Sequence, residues 1–195
     1  MSTILLTFAI LPAVAVIIFG KYRGNWILFI QGAVALIALS TYTHALIIKS
    51  EHLPLTAIAT ILLTLTILLF RPRGKIILSQ ARQYITWRWI LTFFFGSVIC
   101  SPVIEELYFH GVIQTMLTPV IGPVPSVISI SILFALCHPR HKLIWSGLMG
   151  LVSSILYAAT GSLIPGLIAH ITVNLSDMAH FYLTFYIHSK KTSVQ

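Results

Sequence analysis

Apolar residues run in long blocks along the chain, interrupted by short polar or basic stretches. Seven blocks fall at about 3–19, 26–48, 55–70, 89–117, 124–138, 143–159 and 163–187. A membrane-crossing helix needs about 20 mostly apolar residues. The pattern therefore predicts an all-α polytopic transmembrane helical bundle of about seven spans. The fourth block is too long for one simple span and contains Pro102, which predicts a kink or break there. The third and fifth blocks are short for a full crossing. The first block ends near Ala13, Val14 and Ala15, but no Lys or Arg precedes it, so an uncleaved first span is expected rather than a signal peptide.

The chain reads as a single integral membrane domain of 195 residues, with no room for a separate soluble unit. Residues 1–70 hold the N-terminal spans, 71–88 a basic amphipathic segment and 89–188 the helical core. Within 71–88, Ile77, Ala81, Tyr84, Ile85 and Trp87 form an approximately helical apolar stripe. Two readings stay open for it: a cytoplasmic helix lying in the interface, or a basic loop that sets topology.

Composition narrows the class. The chain is 57% apolar and 8% charged, whereas charged residues make up about 25% of a typical soluble domain. This excludes a soluble globular enzyme, a disordered tail and a disulfide scaffold. Cys100 and Cys137 both lie inside apolar runs and form no CxxC pair.

The formal charge of +8 does not indicate nucleic acid, because the bases sit in short loops between apolar blocks. With sides numbered alternately, 11 of the 12 Lys and Arg residues fall on one side and only Lys49 on the other. That bias predicts an N-terminus outside and a C-terminus in the cytoplasm. A compact multi-pass chain of this kind suits a bacterial cytoplasmic membrane.

Ionisable groups inside a bilayer are costly and are functional candidates by default. The chain has four acidic residues, and two are adjacent: Glu105 and Glu106, inside the fourth block. Neighbouring helical residues point about 100° apart, so the two carboxylates have different surroundings. Glu106 and His110 are four apart and share a face, which makes His110 the structural partner of Glu106. Pro102 removes one backbone donor and would leave the Val98 carbonyl free. Phe134 and His138, and His170 and Asn174, repeat the four-residue spacing on other helices. A lone pair of this kind often only ties helices together. The three sets combined point to a site, because a buried base, two imidazoles and a carboxamide suit hydrolysis of an amide by water.

Glu105-Glu106-Leu107-Tyr108-Phe109-His110-Gly111, then Phe134-Ala135-Leu136-Cys137-His138, then His170-Ile171-Thr172-Val173-Asn174 resembles the ordered motifs of the CPBP family. These are the CAAX-protease and bacteriocin-processing intramembrane endopeptidases. The resemblance covers about residues 90–180. It implies that Glu105 activates the water and that His138 orients or polarises it. It further implies that His170 and Asn174 stabilise the oxyanion, while Glu106 is a structural carboxylate. Aimed donors at an oxyanion are worth roughly 3 kcal/mol each. It implies no cofactor, and a peptide or lipidated protein as substrate in the lipid bilayer. The family usually has Arg where this chain has His110. Histidine is shorter and changes charge near neutral pH, so the Glu106 pair would be weaker and pH-dependent.

The rival chemistries are specific. Zinc held by His110, His138, His170 and Glu105 is the nearest, although the His-Glu-x-x-His signature is absent. Aspartyl proteolysis would need two intramembrane aspartates, and the chain has one Asp. A serine dyad of Ser146 with His170 lacks the usual preceding glycine, because residue 144 is Ile. Asp177 is placed either to join the edge of the site or to pair with His180, and Gly147 and Gly150 with Ser146 and Ser153 indicate close helix packing. The alternative of a different class is a non-catalytic or degenerate family member acting in bacteriocin self-immunity or membrane sensing.

Overall fold

The computed structural model describes residues 50–70 and 86–192, with side chains described as far as residue 187. The expected spans at 3–19 and 26–48, and nearly all of the basic segment 71–88, lie outside the described residues. Every element among the described residues is helical.

A single 3-10 turn, Ser50–His52, leads into α1, Leu53–Phe70. The helix α2 runs over Trp87–Ile121, α3 over Pro123–Leu136, α4 over Leu143–Thr160 and α5 over Ile164–Thr192. A second 3-10 turn, Arg140–Lys142, joins α3 to α4. The sequence marks most of these ends. Gly122 takes φ 86° after α2, and Pro123 opens α3 where its missing N–H costs nothing. Gly161 adopts the left-handed conformation that closes α4. The Ser162 hydroxyl then accepts from the backbone N–H of Ile164 at the start of α5.

The distribution of side chains is that of a membrane protein. Leu62, Leu69 and Phe70 on α1, Val124, Ile128 and Ile132 on α3, and Ile144 on α4 are exposed. Glu106, His110, Gln114, Ser153, Ser154 and His170 are buried. Water would favour the opposite arrangement; lipid favours apolar side chains outside and bonded polar groups inside. The buried stripe Thr56, Thr60, Leu63 and Ile67 turns α1 toward α4 and α5. The most extensive packing is of α3 on α4 and of α5 on α1.

Three helices among the described residues are long and apolar enough to cross a membrane: Leu53–Phe70, Trp87–Ile121 and a segment that includes α4, Arg140–Thr160. The first was expected to fall short, yet its 18 residues reach about 27 Å. The helix α3, at 14 residues, is short as expected. The helix α5 has 29 residues but stands outside the set because His170, Asn174, Ser176, Asp177 and His180 interrupt its apolar character.

The expected break at Pro102 is absent. The helix α2 continues through it by changing register, with π-helical turns at Phe94–Cys100 and Leu107–Gln114 flanking an α-helical turn, Ser101–Glu106. The Ser101 N–H bonds the carbonyl of Gly96, five residues back. In that register the next carbonyl, Ser97, would need the N–H of residue 102, which proline lacks. The Ser97 carbonyl is therefore left without that donor.

Candidate active site

The lengths of two helices bring the motifs together. From Ile121 back to Glu105 is about 24 Å along α2, and from Pro123 to His138 is about 22 Å along α3 and its end. The two elements run side by side from the Gly122 turn, so His138 arrives level with Glu105. No break in α2 is needed. The site consequently lies level with the basic turn Arg140–Lys142.

Glu105 is held by one oxygen. The Ser101 hydroxyl, one turn earlier, donates to Oε1. Oε2 is buried and has no direct hydrogen-bond partner among the described residues. It lies 3.7 Å from Nε2 of His138 and 3.7 Å from Nε2 of His170.

Each imidazole is oriented by its other nitrogen. Nδ1 of His138 donates to the Phe134 carbonyl at 2.8 Å. Nδ1 of His170 donates to Oε1 of Glu106 at 3.0 Å. Both rings therefore present Nε2 to Glu105. Phe134 lies between them, with ring centroids 4.7 Å from His138 and 5.8 Å from His170. Gly150 on α4 permits this: a Cβ there would be 2.9 Å from Cβ of Phe134. The small residue does bring two helices close, as its sequence context indicated.

Glu106 is enclosed, with a side chain 3% exposed. Besides His170, the Ser153 hydroxyl donates to its Oε1 at 2.9 Å. Nε2 of His110 is 3.6 Å from its Oε2. The carboxylate thus orients His170 much as a triad carboxylate orients its histidine.

Asn174 sits apart from this cluster in one respect. Its amide Nδ2 donates to the Ser97 carbonyl at 2.9 Å, filling the position that Pro102 leaves open. One of its two N–H groups is thereby committed to joining α5 to α2. His110 also faces away from Glu105, with Nδ1 on Gln114. Of the four residues of the zinc alternative, Glu105, His138 and His170 meet and His110 does not, and the described residues include no group of three His, Cys, Asp or Glu arranged to hold a metal ion. His170 directs its two nitrogens at the two carboxylates, so no dyad with Ser146 is formed. His180 lies 3.4 Å from the Thr184 hydroxyl.

Sequence reasoning gave Ser101 and Gln114 no role, and it did not place Ser153 or Gly166 beside Glu106. Ser101–Glu105 and His110–Gln114 are four apart and were readable from spacing. Ser153 and Gly166 reach Glu106 only through the packing of α4 and α5 on α2.

Residues 87–176 match the family model described as type II CAAX prenyl endopeptidase Rce1-like. The matched region contains all three motifs and agrees with the resemblance to CPBP endopeptidases. It supports a protease embedded in the membrane. No curated protein and no solved structure matches the chain significantly.

Proposed function

We propose that the chain is an intramembrane endopeptidase of CAAX-protease type in which Glu105 activates water. The observation that carries this reading is the buried Oε2 of Glu105, 3.7 Å from Nε2 of both His138 and His170. That separation is too long for a direct hydrogen bond, so Oε2 keeps its acceptor capacity for the attacking water, which enters when the cluster opens to admit substrate.

Ser101 occupies Oε1, so Oε2 is the oxygen that takes water's proton. As the proton leaves, the water oxygen bonds to the scissile carbonyl carbon, and the carbonyl π pair moves onto its oxygen. His138 orients the water. His170, aligned by Glu106 and donating from Nε2 in its imidazolium form, and the second N–H of Asn174 stabilise the oxyanion. Glu105 then returns its proton to the amide nitrogen as the C–N bond breaks. Nothing in these steps calls on a metal.

The substrate is a peptide or lipidated protein held at the bilayer. Its cleavable segment would meet the site level with Arg140–Lys142, where basic side chains mark the cytoplasmic boundary. The charge bias supports about seven spans in a bacterial cytoplasmic membrane, with the N-terminus outside.

The test compares membranes carrying the wild type with membranes carrying Glu105→Gln at matched expression. The probe is a farnesylated peptide ending in a CAAX sequence, read together with peptides released from the cells. A product present only with the wild type is the expected result. A product formed equally by both would overturn Glu105 as the base.

A further inference from the structure

We infer that Gln114 is a positioning residue that locks the tautomer of His110 and, through it, holds Glu106. The chain of contacts is wholly buried: Gln114 is 1% exposed, Ser154 0% and His110 0%. The Gln114 amide Nε2 donates to the Ser154 carbonyl at 2.9 Å. A carbonyl only accepts, so this bond fixes which end of the amide carries oxygen. The Gln114 Oε1 is then the atom 2.7 Å from Nδ1 of His110. It too only accepts, so Nδ1 carries a proton.

That assignment decides what Nε2 offers to Glu106. In a neutral imidazole with Nδ1 protonated, Nε2 bears a lone pair. Here Nε2 points at Oε2 of Glu106 from 3.6 Å, in a site closed to water. A lone pair facing an ionised carboxylate at that depth is repulsive, and no second partner relieves it among the described residues. The arrangement is consistent when the Glu106–His110 pair holds one extra proton. Either His110 is an imidazolium or Glu106 is a carboxylic acid donating to Nε2. Gln114 enforces this, because the other neutral tautomer would set a lone pair against its own Oε1. The relay gives histidine a lasting hold on the carboxylate, which the usual arginine would have through its permanent charge.

The claim about the tautomer is independent of catalysis; the claim about turnover rests on the proposed protease activity. The experiment uses the full chain in nanodiscs with 15N-labelled histidine, His110 being assigned by its loss in His110→Asn. Nitrogen shifts distinguish a protonated ring nitrogen from one bearing a lone pair. In the wild type, Nδ1 of His110 is expected to be protonated throughout the neutral range. Gln114→Leu is expected to convert Nδ1 to the lone-pair type, where the Ser154 hydroxyl, 3.4 Å away, can donate to it. Gln114→Glu, as a carboxylic acid that donates to the Ser154 carbonyl and accepts from Nδ1, should keep the wild-type signature.

An unprotonated Nδ1 in the wild type, or an unchanged signal in Gln114→Leu, would overturn the lock. For cleavage of the farnesylated peptide, Gln114→Leu should lower kcat about tenfold with KM unchanged, and Gln114→Glu should recover most of it. A switched tautomer with unchanged kcat would overturn the link to catalysis. If the wild type cleaves no probe and releases no peptide that is lost in Glu105→Gln, the protease reading fails and the nitrogen shifts still decide the tautomer.

Discussion

Gly166 on α5 lies directly against the carboxylate of Glu106: a Cβ at residue 166 would sit 2.6 Å from Oε2 and 3.1 Å from the Ser153 hydroxyl oxygen. Only a hydrogen fits there. The residue follows Pro165 in the first turn of α5, and it sets how near α5 comes to α2.

Gly166→Ala should therefore push α5 away or turn Glu106. Overpacking of this kind costs about 1–3 kcal/mol, and the 3.0 Å bond from His170 to Glu106 would be strained first. Thermal unfolding in detergent should register the loss, and cleavage of the farnesylated peptide should fall further than stability alone explains. A variant that melts and cleaves like the wild type would mean that the helices are not this close.

The division between legible and hidden features follows sequence distance. Contacts within one helical turn were readable, because spacing alone places Glu106 with His110 and Phe134 with His138 on shared faces. Glu105 stood out because a carboxylate in an apolar block needs a reason. The meeting of Glu105, His138 and His170 was expected from motif order but not from spacing; it depends on α3 being short enough to end level with Glu105. Ser153 and Gly166 were hidden because small residues give the same signal whether they pack against lipid, backbone or a carboxylate. Pro102 was read by the α-helical rule, which predicts a break and frees Val98. The π register instead keeps the helix whole and also leaves the Ser97 carbonyl without a chain donor.

Ser101 provides a test of how Glu105 is aimed. Its hydroxyl donates to Oε1 and leaves Oε2 for the water. Ser101→Ala should let the carboxylate rotate and lower kcat by about tenfold, the usual scale of one hydrogen bond to a charged group. Ser101→Thr retains the hydroxyl and should retain most of the activity. Equal turnover in all three proteins would show that Glu105 is aimed by something else.

Metal removal separates the two hydrolytic chemistries. His110 is engaged with Glu106 and Gln114, so it is turned away from the position between Glu105, His138 and His170. Prolonged dialysis against a chelator should leave cleavage of the farnesylated peptide unchanged. Loss of activity that zinc alone restores would replace the glutamate-activated water with a metal-bound one.

Asn174 and Pro102 should be energetically coupled although they lie on different helices. Pro102 withholds the N–H that Ser97 would need in the π register, and the Asn174 amide supplies a donor at 2.9 Å. Asn174→Ala should leave that carbonyl unpaired in an apolar setting and cost about 1 kcal/mol, the scale of interhelical hydrogen bonds in membranes. Pro102→Ala restores a chain donor for Ser97 and removes the need for the amide. In the Pro102→Ala background, Asn174→Ala should therefore cost clearly less than it does alone. The coupling is read from a double-mutant cycle of unfolding free energies in detergent. Strictly additive effects would mean that Asn174 is not held in place to fill the gap left by proline. The cleavage rates of the same four proteins isolate the second role proposed for Asn174. If Asn174→Ala still lowers kcat about tenfold when Pro102→Ala has relieved its structural cost, its other N–H reaches the oxyanion; if kcat recovers along with stability, the residue only joins the helices.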